Sequence, residues 1–147
     1  MPGAFNGLTA HLVRAHGFDA SYVSGAVIHQ VTRGSQLPVI ADADTGFGES
    51  ERVQRVVHEY ARAGAAGFHI EDQVFPKRCG HLEGKRLVAI EHFQEKVRSA
   101  CDARDAIDGG EGQHGSFIVC ARTDAKSVDG MDAVIERAAA YIEAGAD

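Results

Sequence analysis

One pattern recurs along the chain and restricts its folds more than any other feature. Helix-like text closes on a small-residue turn, and a short apolar run follows. The segments HLVRAHGFDASYVSG (11–25), RVVHEYARAGAAGFHIED (55–72) and AVIERAAAYIEAGAD (133–147) all read this way, and YARAGA (60–65) laid over YIEAGA (141–146) makes the repeat explicit. Gly17, Gly64 and Gly145 each stand where a helix end needs a left-handed residue, a conformation that glycine adopts without a Cβ clash. Helix alternating with strand is the signature of a parallel α/β sheet or barrel.

Four strands are expected, at Asp19–Ser24, Pro38–Asp42, Gly67–Glu71 and Ser116–Arg122. PVIADAD and SFIVCARTD are almost continuously apolar, as strands covered on both faces are. Helices are expected at Gly7–His16, Ser50–Ala63, Ala89–Arg104 and Met131–Ala144. The second has Ser50 as its N-cap and an apolar face of Val53, Val56, Val57, Tyr60 and Ala61. DGGEGQHG (108–115) reads as a flexible surface loop. Thirteen residues, 25–37, join the first two strands, and AVIHQVTRGSQL shows no clear helix. A parallel crossover takes about a dozen residues and usually contains one. The repeat also calls for a further strand beyond Asp147. The expected architecture is α/β, a partial (β/α)₈ TIM-type barrel of about four strands with their helices. It forms a single incomplete domain over 1–147, with a shortened crossover at 25–37 and truncation at the C-terminus.

Composition sets the class. At 147 residues, 44% apolar, 24% charged and a net charge of −6, the chain suits one soluble domain. Without a basic stripe it does not read as a nucleic-acid binder. No apolar run approaches the ~20 residues that span a bilayer, and no signal-peptide pattern opens the chain, so no membrane partner is expected. Cys79, Cys101 and Cys120 have unrelated spacings and make no disulfide framework, which points to a reducing compartment, the cytoplasm or else the mitochondrial matrix. Cys101 and Cys120 read as core residues. Among the histidines outside the loop discussed below, none carries a spacing signal, and His58 and His92 read as helix-surface residues.

Polar residues gather at the carboxyl ends of the expected strands: Tyr22, Ser24 and Gly25, then Asp42 and Asp44, then Glu71 and Asp72, then Arg122 and Asp124. In a parallel barrel or sheet those ends share the face where active sites are built. Asp42 and Asp44, two apart in extended chain, would point the same way. Glu71 from the neighbouring strand would bring three carboxylates together, a set suited to Mg²⁺ or Mn²⁺. Other readings stand beside this one: Asp44 or Asp72 alone can cap a helix, and Arg122 can simply pair with the acids. DTGFGES lacks the spacing of a phosphate-binding loop.

The loop VFPKRCGHLEG (74–84) follows the third strand closely and would hang over the same face. Lys77 and Arg78 beside Cys79 would favour a thiolate, and Gly80 would let the backbone approach a ligand. Such a thiol can exchange a proton or attack an electrophile. A zinc half-site from Cys79 and His81 finds no second pair at metal-ligand spacing.

KRCGH (77–81), together with PGAFNGLTAHLV, YVSGA, PVIADADTGFG, GFHIEDQVFPKRCGH and ARTDA, resembles the isocitrate lyase and phosphoenolpyruvate mutase superfamily in the family's own order. The resemblance is to the methylisocitrate lyase branch, which includes dimethylmalate lyase and oxaloacetate hydrolase. It implies a Mg²⁺-binding (β/α)₈ barrel acting on a small di- or tricarboxylate and assembling as a homo-tetramer. By that resemblance Asp42, Asp44 and Glu71 hold the metal, partly through water. Tyr22, Ser24, Gly25, Gly80 and Arg122 contact substrate, and residues 77–81 form the gating loop. Cys79, with Lys77 and His81, is catalytic. The implied reaction is carbon–carbon cleavage of a 2-methylisocitrate-like 2-hydroxy acid to a 2-oxo acid. Oxaloacetate hydrolysis, or phosphoenolpyruvate or carboxyphosphonate mutase chemistry, is the alternative on the same site, and an inactive fragment that only binds metal or a homologue is the third. The family's longer stretch after YVSGA, with an aspartate near the metal, has no counterpart here.

Overall fold

The computed structural model of the chain describes residues 1–24, 27–108 and 117–147. In chain order the elements are α1 (Gly7–Ala15), β1 (Ser21–Ser24), α2 (Ile28–Ser35), β2 (Val39–Asp42), α3 (Ser50–Arg62), β3 (Gly67–Glu71), α4 (Ile90–Asp108), β4 (Ile118–Arg122) and α5 (Met131–Glu143), with a 3₁₀ turn at Ala125–Ser127. The strands form one parallel sheet in the order β1-β2-β3-β4. This is the α/β, partial-barrel architecture expected from the repeat. Residues 2–4 add a short parallel rung outside β1, with the Tyr22 N–H donating to the Pro2 carbonyl at 3.0 Å.

Each strand alternates between two faces. Val23, Val39, Ala41, Phe68, Ile70 and Val119 join the core with Val53, Val56 and Val57 of α3 and Phe93, Val97 and Ala100 of α4. The opposite face carries Tyr22, Ile40, Asp42, His69, Glu71, Ile118, Cys120 and Arg122, the face on which the strand-end polar groups meet. The repeated turn is built as its glycines suggest: Gly17, Gly64 and Gly145 have φ of 77°, 90° and 105°.

Four expectations need correction. The crossover at 25–37 does contain a helix, α2, which buries Ile28, Val31 and Ser35. It packs closely on α1, with Gly34 against the backbone of Gly7, where an added Cβ would come within 2.7 Å of the Gly7 carbonyl oxygen. Ser50 is not an N-cap. Glu49 holds the cap position in extended backbone without a side-chain cap bond, and its carboxylate instead engages His92 at 2.6 Å. The fourth strand is not covered on both faces, since Ile118 is 41% exposed. Cys120, two residues on, is likewise exposed rather than core, whereas Cys101 is buried as expected. The loop expected at 108–115 lies almost wholly outside the described residues. No helix among the described residues is long and apolar enough to cross a membrane.

Candidate active site

β2 ends at Asp42 and the chain then turns sharply. Asp44 takes the left-handed conformation (φ 49°), and its N–H donates to Asp42 Oδ1 at 2.9 Å. Asp is one of the few residues that enter this region readily, because its short side chain bonds locally. The two acids are therefore neighbours through a turn, not through the extended strand expected. On the adjacent strand Glu71 is 1% exposed. The Lys77 ammonium, from the loop after β3, joins the two elements: its Nζ stands 2.6 Å from Asp44 Oδ1 and 3.3 Å from Glu71 Oε1.

Glu71 Oε2 is buried with no hydrogen-bond donor among the described residues. The Arg122 guanidinium stands 3.5 Å from it, within ion-pair range only. Burial pushes the Glu71 carboxyl upward against the opposing pull of Lys77 and Arg122. The hydrogen bond to Asp44 raises Lys77 above the ordinary lysine range. Arg122 also donates to Asp124 Oδ1 at 3.1 Å. Although burial pushes Asp124 up, bonds from Arg122 and Gln73 hold it below the usual carboxylate range.

Gln73 fastens the loop from beneath. Its Nε2 donates to Asp124 Oδ2 at 2.7 Å and to the Arg78 carbonyl at 2.9 Å, while its Oε1 accepts from the Arg78 N–H at 2.9 Å. The Lys85 ammonium donates to the Gly80 carbonyl at 2.5 Å. Gly80 packs so closely on Arg122 that a Cβ there would run into the guanidinium. The Phe75–Pro76 peptide bond in this loop is cis. Cys79 and His81 are exposed beyond this anchored part. Neither cation next to the thiol faces it in the manner expected: Lys77 is turned to the acids, and Arg78 donates to the Glu83 carbonyl at 3.2 Å.

At the other end of the face, Tyr22 Oη lies 2.6 Å from His69 Nε2, the two rings stacked within 10° of parallel. His69 Nε2 also lies 3.7 Å from Asp42 Oδ1. Burial, with Asp42 nearby, pushes the Tyr22 phenol to about 12. Burial lowers His69, so the ring is held neutral and its Nε2 can share the phenol proton.

Of the sequence-predicted residues, Asp42, Asp44, Glu71, Lys77, Gly80, Arg122 and Tyr22 come together. The Ser24 backbone pairs in register with Asp42, and Gly25 lies outside the described residues. His69 and Gln73 belong to the constellation but carried no spacing signal. The register that sets His69 beside Asp42 is the feature that reveals it. Asp72, next to Glu71, points away. It is fully buried and accepts from Thr123 (2.7 Å), Tyr141 (2.8 Å), Arg137 (3.2 Å) and the Asp124 N–H (3.1 Å).

Among the described residues no three His, Cys, Asp or Glu side chains stand close enough to ligate one ion as arranged. The donor set nevertheless suits a hard divalent cation. Carboxylates from two elements already share one cation, and the buried Glu71 Oε2 beside it has no hydrogen-bond donor among the described residues.

A phosphoenolpyruvate phosphomutase family model matches residues 24–147. Probable 2-methylisocitrate lyase 2 of Corynebacterium glutamicum is 43% identical over 168 aligned positions, covering 100% of this chain and 52% of that protein. The 2,3-dimethylmalate lyase of Eubacterium barkeri is 39% identical, covering 99% of this chain and 55% of its own. A crystal structure of 2,3-dimethylmalate lyase superposes with a TM-score of 0.88 at 37% identity, over 99% of this chain and 54% of that one. Oxaloacetate acetylhydrolase with the inhibitor 3,3-difluorooxalacetate gives a TM-score of 0.83 at 33% identity, over 99% and 55%. The chain thus spans about half the length of the relatives it matches.

Proposed function

This chain belongs to the phosphoenolpyruvate mutase/isocitrate lyase superfamily, and on that premise we propose that it carries the metal-and-loop half of a carbon–carbon lyase site. The substrate is a small 2-hydroxy di- or tricarboxylate of the 2-methylisocitrate type, and the product is a 2-oxo acid. One observation carries this reading: Lys77 reaches from the cysteine-bearing loop to Asp44 and Glu71, so the loop and the acids form one site.

In this proposal Asp42, Asp44 and Glu71 would hold Mg²⁺, with Mn²⁺ as the alternative. The ion would supply Lewis-acid stabilisation of the oxygen that becomes a carbonyl. The proton leaves by a relay, in which the Tyr22 phenol passes its own proton to the neutral His69 Nε2 as it takes up the proton of the substrate hydroxyl. The electrons of the O–H bond form the carbonyl of the 2-oxo acid as the carbon–carbon bond breaks. The pair from that bond passes to the leaving carbon, which its carboxylate stabilises as an enediolate, and the Cys79 S–H protonates that carbon. Arg122 would face a substrate carboxylate, where its fixed charge opposes the developing negative charge, and Lys77 would add a second cation from the loop. Ser24, Gly25 and Gly80 would bring backbone against the same ligand, and His81 would close the loop's far end. The loop keeps water from the carbanion.

The domain is read as a single partial barrel over 1–147 with a short crossover at 25–37, and the whole protein as a homo-oligomer of a reducing compartment. Oxaloacetate hydrolysis is the second reading, supported by the likeness to oxaloacetate acetylhydrolase. The test is to incubate purified protein and Mg²⁺ with 2-methylisocitrate, 2,3-dimethylmalate and oxaloacetate, following 2-oxo acid release. Cleavage of a hydroxy acid supports the lyase, and oxaloacetate turnover alone transfers the site to the hydrolase reading. Turnover of none by folded protein would leave metal binding as the chain's activity.

A further inference from the structure

We propose that the Lys77 ammonium and the divalent cation compete for the same pair of carboxylates, so that loading the ion ejects Lys77 and turns it toward the substrate. This inference rests on the metal reading above and deepens it. Lys77 Nζ lies 2.6 Å from Asp44 Oδ1 and 3.3 Å from Glu71 Oε1, bridging acids from two different elements as a bound ion would. An ammonium is a compact point charge on a flexible stem, able to stand in for a metal ion and to leave. It balances the acids incompletely, because Glu71 Oε2 remains buried without a hydrogen-bond donor among the described residues. A divalent ion brings twice the charge and more ligand positions to the same oxygens.

The way out for Lys77 is open. Its side chain is 30% exposed, whereas Glu71 is 1% exposed, so the ammonium reaches water where the carboxylate cannot. The loop base does not depend on it, since Gln73 holds both the carbonyl and the N–H of Arg78 and Lys85 holds the Gly80 carbonyl. Lys77 can therefore swing off the acids while residues 78–80 keep their anchors. Arg122, tied to Asp124, stays beside Glu71 throughout. Once displaced from Asp44 and Glu71, the ammonium stands next to the site, where it can meet a substrate carboxylate. The consequence is an order of binding, with metal before acid.

Two measurements test this without turnover. Amine acetylation followed by mass spectrometry reads the reactivity of Lys77. The expected result is slow labelling in the metal-free protein and several-fold faster labelling in Mg²⁺, with Lys126 as an unaffected control. Titration with Mn²⁺, read by the magnetic resonance signal of the free ion, should show about tenfold tighter binding to the Lys77→Met variant than to the native chain. Removing any nearby cation helps metal binding somewhat, so the labelling result decides. If Mn²⁺ binds through Asp44 and Glu71 yet Lys77 labelling stays unchanged, the competition is overturned and the metal site stands. If Mn²⁺ binds neither protein, or binds the Asp44→Asn variant equally well, the metal reading fails and the competition falls with it.

Discussion

Replacing Arg137 by methionine leaves the aliphatic stem in place and takes the guanidinium away from Asp72, a carboxylate with no exposed surface. Arg137 Nη1 donates to Asp72 Oδ2 at 3.2 Å, to the Val88 carbonyl at 3.0 Å and to Tyr141 Oη at 3.0 Å. Breaking one side of a buried ion pair costs about 3–5 kcal/mol, because the remaining charge is left without compensation. The lower end applies, since Asp72 keeps Tyr141, Thr123 and the Asp124 N–H as neutral donors. About 3 kcal/mol is a large share of the roughly 5–15 kcal/mol that holds an ordinary domain together. At ~2–4 °C per kcal/mol for a chain of this size, the melting temperature should drop by about 6–12 °C. Urea unfolding followed by far-ultraviolet circular dichroism gives the free energy, and adding Asp72→Asn gives the coupling. The double variant should recover part of the loss, since no bare charge remains. A loss below about 1 kcal/mol in Arg137→Met, or a strictly additive double variant, would refute the idea that Asp72 is a charged anchor of α5.

Three further outcomes are expected. Cys79→Ser should cut turnover by about 10²–10⁴-fold, as loss of a positioned acid does, while Mn²⁺ affinity stays unchanged; undiminished rate would remove the thiol from the mechanism. Gly34→Ala should destabilise the chain by about 1–3 kcal/mol in urea unfolding, because the new methyl meets the Gly7 backbone and forces α1 and α2 apart. The chain has three tyrosines and no tryptophan, so absorbance near 295 nm follows phenol ionisation alone. Burial raises all three phenols, Tyr22 and Tyr60 to about 12. Their stabilising contribution is complete below the unfolded value of about 10 and is lost as pH climbs toward the folded values. Phenolate should therefore appear above pH 10 together with unfolding, and titration near 10 in folded protein would contradict the burial described.

Most of the sheet was legible because its signals are local. Gly17, Gly64 and Gly145 mark helix ends by backbone conformation alone, and Val53, Val56 and Val57 declare the buried face of α3 by spacing. α2 was not legible. Its buried set is only Ile28, Val31 and Ser35, and its close packing on α1 sets Gly34 against Gly7, far apart in the chain. Cys120 looked like core because a strand's two faces cannot be told apart until its neighbours are known. His69 was missed for the same reason: it is one polar residue in an apolar run until the register sets it against Asp42.

Glu71 and Asp72 show how little separates a site residue from a structural one. Both are acidic, both sit at the end of β3, and composition treats them alike. Strand alternation sends the first toward Lys77 and Arg122 and the second toward α5, where Tyr141 and Arg137 meet it. Yet the two sides are coupled. Asp72 holds Thr123 and the Asp124 N–H, Asp124 holds Arg122 and Gln73, and Gln73 holds the loop at Arg78. A shift of Asp72 would thus pass through these contacts to the guanidinium and to the base of the cysteine loop. Conservative change at Tyr141, which touches no site residue directly, should therefore alter Lys77 labelling in Mg²⁺ if the chain of contacts is rigid. Unaltered labelling with lowered stability would confine Asp72 to holding the fold.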